Sequence, residues 1–253
     1  MALLEVKNLT KSFGGLIAVN HLDFHIDEGE ILGMIGPNGA GKTTVFNLIT
    51  GIYPPDEGEI RFNGRSLLGL RPHDITELGI ARTFQTIRLF LNLTAMENVM
   101  AGRHCRTRAG LVGAIFQPKS QREEERRIRE DADRLLSFMK LYQQRAELAK
   151  NLPHGDQRRL EIARALATDP QLLILDEPAA GLNEQESNEL MALISQIRDS
   201  GITVFLIEHD MRVVMGISDR IVVLDNGEKI AEGTPREVQN NPRVIAAYLG
   251  RAE

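Results

Sequence analysis

The hydrophobic pattern divides the chain into three stretches. In the first, apolar runs of strand length recur at Leu3 to Val6, Ala18 to Ile26 and Ile31 to Ile35. The last run opens onto Gly36-Pro37-Asn38-Gly39-Ala40-Gly41-Lys42-Thr43-Thr44, and Val45 to Thr50 then reads as a helix ended by Gly51. Glu59 to Phe62 reads as a strand that turns at Asn63-Gly64, a dipeptide suited to the left-handed backbone of a tight hairpin. The middle stretch, from about Thr94 to Thr168, is helical and charged, with few strand signals. Thr94 and Glu97 have the spacing of a capping box, and Glu123 to Leu141 reads as a long helix rich in Arg and Glu.

In the final stretch strands and helices alternate. Leu172 to Leu175 is continuously apolar, as a strand covered on both faces must be. Asn183 and Glu186 form a second capping-box pattern, opening a helix to about Arg198. Ile202 to Ile207 and Ile221 to Leu224 read as strands, Asn226-Gly227 as a hairpin turn, and Asn241-Pro242 to Gly250 as a short helix. The alternation predicts an α/β fold with a mostly parallel sheet, an antiparallel N-terminal part and a helical insert.

Composition narrows the class. At 42% hydrophobic and 26% charged, the 253 residues are those of an ordinary globular chain. The longest apolar runs, Leu172 to Leu175 and Val204 to Ile207, fall far below the roughly 18 residues of a spanning helix. The N-terminal residues carry no basic segment followed by an apolar one, so no secretory signal is expected. The single cysteine, Cys105, fits a reducing cytoplasm and reads as inert. A net charge of -5 and a pI of about 5.8 argue against a dedicated nucleic-acid binder. The basic cluster Arg103, Arg106 and Arg108 and the mixed run from Arg122 to Asp133 read as solvated helix faces. For the first cluster, contact with acidic lipid headgroups is the other reading.

Gly36 to Thr43 fits G-x-x-x-x-G-K-[ST] between a predicted strand and a predicted helix. Its glycines allow the backbone to wrap a phosphate with amide groups pointing inward, and the helix adds its positive end. Lys42 is expected to reach the β- and γ-phosphates, and Thr43 to offer its hydroxyl to Mg²⁺. The strand Leu172 to Leu175 delivers Asp176 and Glu177 to the sheet edge. Asp176 suits Mg²⁺ held through water, and Glu177 suits an attacking water beside the γ-phosphate.

Further motifs follow in order: Arg82-Thr83-Phe84-Gln85, Leu152-Pro153-His154-Gly155-Asp156-Gln157, Glu177-Pro178-Ala179-Ala180-Gly181-Leu182-Asn183 and Ile207-Glu208-His209-Asp210. The series resembles the ATP-binding cassette, the ATPase subunit of ABC transporters, over essentially the whole chain. That resemblance implies a P-loop NTPase core, one domain over residues 1–253, and a helical subdomain at about 86–168. It implies ATP and Mg²⁺ as cofactors. Gly36, Pro37, Asn38, Gly39, Ala40, Gly41, Lys42, Thr43 and Thr44 would cradle the phosphates, and Phe13 would stack on adenine. Thr43, Gln85 and Asp176 would hold the metal; Glu177, His209 and Gln85 would be catalytic. Pro153, His154, Gly155 and Asp156 match the signature segment, which meets ATP held by a second cassette in a head-to-tail dimer.

The signature departs from the common L-S-G-G-Q, with Pro153, His154 and Asp156 in place of Ser, Gly and Gln. Backbone amides at a helix start still suit an anion there. Asn183 replaces a common Asp and also serves as a helix N-cap. The wording of several segments, with Phe13-Gly14-Gly15-Leu16 and Tyr248-Leu249-Gly250, resembles the larger ATPase of branched-chain amino acid importers. That branch implies two membrane permease subunits, a second cassette, an indirect substrate-binding protein and a place on the cytoplasmic face of the membrane. Relatives importing urea or short amides are an alternative, as is a lipopolysaccharide-export ATPase; a soluble cassette acting on nucleic acid or ribosomes is a different class. Residues about 85 to 116 would line a groove for a membrane-partner helix. Leu89, Phe90, Leu93 and Met96 read either as its apolar anchors or as packing inside the helical subdomain.

Overall fold

The computed structural model describes residues 2–103 and 119–249. Cys105, Arg106 and Arg108 lie outside the described residues, as does the side chain of Arg122. Arg103 is not a free surface cation: it pairs with Asp131 at 3.3 Å.

Two sheets organise the described residues. The N-terminal sheet is antiparallel, with β1 (Ala2–Phe13) between β2 (Leu16–Asp27) and β4 (Glu57–Phe62), and β5 (Arg65–Ser66) at its edge. The β4–β5 turn uses Asn63 and Gly64 at φ 48° and 73°, the left-handed pair that the dipeptide predicts. Strand β1 is much longer than Leu3 to Val6, because register shifts at Val6/Leu9 and Leu9/Lys11 break the alternation that marks a strand in sequence.

The second sheet carries β3 (Ile31–Ile35), β6 (Ile80–Arg82), β7 (Leu172–Asp176), β8 (Thr203–Ile207), β9 (Arg220–Asp225) and β10 (Glu228–Gly233). Its order is β10-β9-β3-β8-β7-β6, parallel except where β10 returns antiparallel to β9 across Asn226-Gly227. Every residue of β3, β7 and β8 is buried, which explains their unbroken apolar runs. The side chains alternate between two cores. Ile174 and Phe205 face the N-terminal sheet, where Phe205 packs between Phe24 and Phe46; Leu173, Leu175, Val204 and Leu206 face the helices.

Helix α1 (Lys42–Ile49) follows β3 and starts three residues earlier than its apolar run, at the end of the glycine loop. Short α2 (Pro72–Leu78) precedes β6 and buries only Ile75, too little for a periodic signal. Between β6 and β7 lie α3 (Ala95–Arg103), α4 (Lys119–Phe138) and α5 (His154–Leu166). Thr94 and Glu97 form the expected capping box before α3. Helix α6 (Glu184–Asp199) is capped by Asn183 and Glu186, and α7 (Met211–Ile217) follows β8. Two more short helices, α8 (Pro235–Gln239) and α9 (Pro242–Leu249), close the described chain.

Candidate functional site

The site is built at the ends of the parallel strands, beginning with β3. A Cβ on Gly36 would lie 2.1 Å from the Leu224 carbonyl oxygen, and one on Gly41 2.3 Å from that of Ala18. Gly41, at φ 100°, is the N-cap of α1, so the loop closes into the helix with no side chain in the way. A helix start leaves its first amides without partners inside the helix. Lys42 is only 5% exposed. Its Nζ donates to the loop's own carbonyls, Gly36 at 2.7 Å and Pro37 at 3.0 Å. Burial lowers its pKa, against the opposing pull of Glu177 and Asp176.

Strand β7 delivers the carboxylates. Asp176 is buried and accepts from the Arg82 guanidinium at 2.8 Å. The same guanidinium donates to Asn47 Oδ1 at 2.7 Å and to Thr50 Oγ1 at 3.2 Å. Burial is the main influence on Arg82 and lowers its pKa, opposed by Asp176. Glu177 follows with its backbone in the left-handed region at φ 48°. Its Oε1 meets His209 Nε2 at 2.5 Å, and its Oε2 accepts from Gln85 Nε2 at 2.8 Å. One carboxylate is thus fixed by groups from the ends of β6 and β8. Such an arrangement suits holding and deprotonating a water.

Phe13, Asn38, Gly39, Ala40, Gly41, Lys42, Thr43, Thr44, Gln85, Glu177 and His209 line a single cleft of about 570 Å³. Asp176 lines an adjoining groove of about 680 Å³, which it shares with Thr43 and Gln85. Phe13 is 41% exposed at the tip of the β1–β2 hairpin, edge-on to Tyr53 with ring centroids 5.3 Å apart. Its ring is therefore available at the cleft mouth. Among the described residues no cluster of three His, Cys, Asp or Glu side chains offers a metal site. Thr43, Gln85 and Asp176 are instead mixed oxygen donors lining one groove, the hard donor type that suits Mg²⁺.

Pro153, His154, Gly155 and Asp156 line neither cleft. They form the start of α5, where Pro153 is the N-cap and offers no side-chain cap bond. Pro153 and His154 are exposed, Gly155 packs towards Glu186, and Asp156 is taken by Arg159. Asn183 accepts from the Glu186 amide at 2.9 Å while Glu186 accepts from the Asn183 amide at 2.9 Å, which makes it a helix cap. The four groove candidates divide: Leu89 and Met96 pack on the helical core, whereas Phe90 and Leu93 are exposed.

Two supporting residues escape sequence reasoning. Buried Glu208 accepts from the amides of Ala179 at 2.6 Å and His209 at 3.1 Å, tying the loop after β7 to that after β8. Burial raises its pKa. Arg158, on α5, is fully buried and donates to the carbonyls of Phe84 and Gln85. In sequence both read as surface charges; a charged residue at a core-facing helical position was the only signal for Arg158.

Comparison with known proteins fits this geometry. The profile described as ABC transporter matches residues 19–180. The chain is a member of the ABC transporter ATP-binding family. It therefore belongs to an α/β P-loop ATPase class that binds nucleotide and couples its hydrolysis to transport. A second profile, Branched-chain amino acid ATP-binding cassette transporter, matches residues 228–253 of this cassette. It is 47% identical over 251 residues to the Pseudomonas aeruginosa high-affinity branched-chain amino acid transport ATP-binding protein BraF, covering 99% of this chain and 98% of that one. The ADP conformation of MJ1267, an ATP-binding cassette of an ABC transporter, superposes with a TM-score of 0.87 at 32% identity, over 99% of this chain and 100% of that one. The dimeric structure of MJ0796, a bacterial ABC transporter cassette, gives a TM-score of 0.78 at 28% identity, over 92% and 99%. Among the described residues no helix is long and apolar enough to cross a membrane.

Proposed function

We propose that this cassette drives uptake of branched-chain amino acids through two separate membrane permease subunits. It acts at the cytoplasmic face of the membrane, paired head-to-tail with a second cassette, and a substrate-binding protein is its indirect partner. The observation that carries the reading is the 47% identity to BraF along nearly the whole of both chains. Nucleic acid has no part in it.

In this reading the loop Gly36 to Thr44 cradles the ATP phosphates and Phe13 stacks on adenine. Lys42 exchanges the carbonyls of Gly36 and Pro37 for phosphate oxygens. Thr43, Asp176 and Gln85 are the residues to hold Mg²⁺, which supplies positive charge to the phosphates when bound. Glu177 takes the proton of the attacking water, with His209 and Gln85 keeping the carboxylate and the water in line. Pro153, His154, Gly155 and Asp156 lie outside the cleft because they serve the ATP of the second cassette, offering backbone amides where a serine hydroxyl is common.

The test is ATP turnover by the cassette assembled with its permeases in vesicles. Leucine-, isoleucine- or valine-loaded binding protein should stimulate it. Stimulation by urea or short amides alone would overturn the substrate assignment, and no dependence on any permease would overturn the transport role.

A further inference from the structure

We infer that the buried Arg158–Glu161 pair of α5 is a positioning device that sets Gln85 against Glu177. This rests on the proposed role of Gln85 and Glu177 in hydrolysis. Both members of the pair have side chains only 1% exposed, and they meet at 2.9 Å. Arg158 Nη1 also donates to the Phe84 carbonyl at 2.8 Å, and Nη2 to the Gln85 carbonyl at 2.9 Å. Glu161 accepts the Arg88 amide at 3.0 Å through its other oxygen. The pair therefore grips the chain at Phe84, Gln85 and Arg88.

That segment needs an external grip. Its last bond to the sheet is made by the Thr83 amide to Ile174 at 2.9 Å, after which β6 has ended. The Phe84 ring lies between the guanidinium groups of Arg88 and Arg82, 4.2 Å and 5.0 Å from its centroid. The side-chain bond from Gln85 to Glu177 then depends on a backbone held from α5.

Stability alone is a weak reason for the pair. Removing two charges from water is costly, and well-packed apolar residues at such positions commonly serve stability as well or better. An arginine is required by geometry: its planar fork addresses two adjacent carbonyls at once, which an ammonium does not. The same helix begins with Pro153 to Asp156, the segment that meets the second cassette's nucleotide in the proposed dimer. A tilt of α5 on that contact moves the carbonyls of Phe84 and Gln85 directly. The pair thus connects the signature segment of each cassette to the hydrolytic glutamine of its own site.

The experiment is a double-mutant cycle on the full chain, with steady-state ATPase kinetics, nucleotide titration and thermal melting. Arg158→Lys keeps the charge and loses the fork; Arg158→Met with Glu161→Leu removes both charges and keeps the volume. Each should lower kcat at least tenfold, with KM and ATP affinity changed less than threefold. In a Gln85→Ala background the same changes should lower kcat no further, because the pair acts through Gln85. Wild-type kcat in both variants, or losses that multiply with that of Gln85→Ala, would overturn the inference. If the double variant does not fold, Arg158→Lys decides by the same two criteria. Glu177→Gln run in parallel separates the levels. Retained turnover there defeats the underlying site assignment, whereas loss there with an indifferent Arg158→Lys defeats only the positioning role.

Discussion

The phosphate loop and the signature segment are both glycine-containing helix starts, yet they are set in the molecule differently. The loop Gly36 to Thr44 hangs from a strand buried at every position and is walled by the backbone of Ala18 and Leu224. Its Lys42 is engaged with the loop's own carbonyls, and across the cleft Glu177 is engaged with His209 and Gln85. The signature segment starts a helix with Pro153 and His154 exposed, and lines no part of the cleft. The difference teaches that one helix start is walled in by this chain's own backbone. The other is a helix start outside the cleft, which the proposed function assigns to the nucleotide of a second cassette.

The comparison can be broken most sharply at Glu177. Glu177→Gln should lower ATP turnover by about 10²–10⁴-fold while leaving nucleotide binding intact, as expected for loss of a general base. Turnover within tenfold of wild type, read by phosphate release, would place the base elsewhere. A pair of alanine variants comes next. Gly36→Ala forces a methyl into the Leu224 carbonyl and should cost more than about 4 kcal/mol in stability, measured by denaturant unfolding. Gly155→Ala meets only side-chain ends, Glu186 Oε1 at 3.3 Å and Leu182 Cδ2 at 3.6 Å, so monomer stability should change by no more than about 1 kcal/mol. Equal destabilisation by the two would erase the distinction between a loop walled by backbone and a helix start walled only by side chains. The pH dependence at Lys42 is a smaller effect. Burial lowers its pKa in the free protein, and a polyphosphate beside it raises that pKa, so binding takes up a proton once the free lysine begins to lose its own. ATP affinity should therefore decline as pH rises through the alkaline range towards the ordinary lysine value near 10.4. Calorimetric titration across that interval checks it, and a flat affinity contradicts it.

Much of this architecture was legible in the sequence where one physical rule decided each residue. The parallel strands declared themselves because burial on both faces leaves no polar position, as in Leu172 to Leu175. The turns at Asn63-Gly64 and Asn226-Gly227 and the caps at Thr94 and Asn183 were readable because local bonds make them. Short α2 and α7 were not readable, since helices of seven residues carry too little periodicity. Helix α8 was missed although Thr234, Pro235 and Glu237 spell a capping box with proline at the first turn. At the site, the strand–glycine loop–helix setting of Gly36 to Thr44 was legible by type and spacing. Arg82, Arg158 and Glu208 were not, because each acts on partners far away in sequence, and a buried cation or carboxylate looks like any surface charge until the fold covers it.

The backbone just after β7 reaches beyond catalysis. Glu177 sits at φ 48°, a backbone region that costs a residue bearing a Cβ about 1–2 kcal/mol and glycine almost nothing. Glycine at that position should melt at a higher temperature, discounted by its greater freedom when unfolded. The fold thus tolerates a standing local tension at the carboxylate proposed as the base. Selection for durability alone would drift towards an inert protein at this very residue, and a heat-tolerant, nucleotide-binding, non-hydrolysing Glu177→Gly would display that conflict in a single substitution.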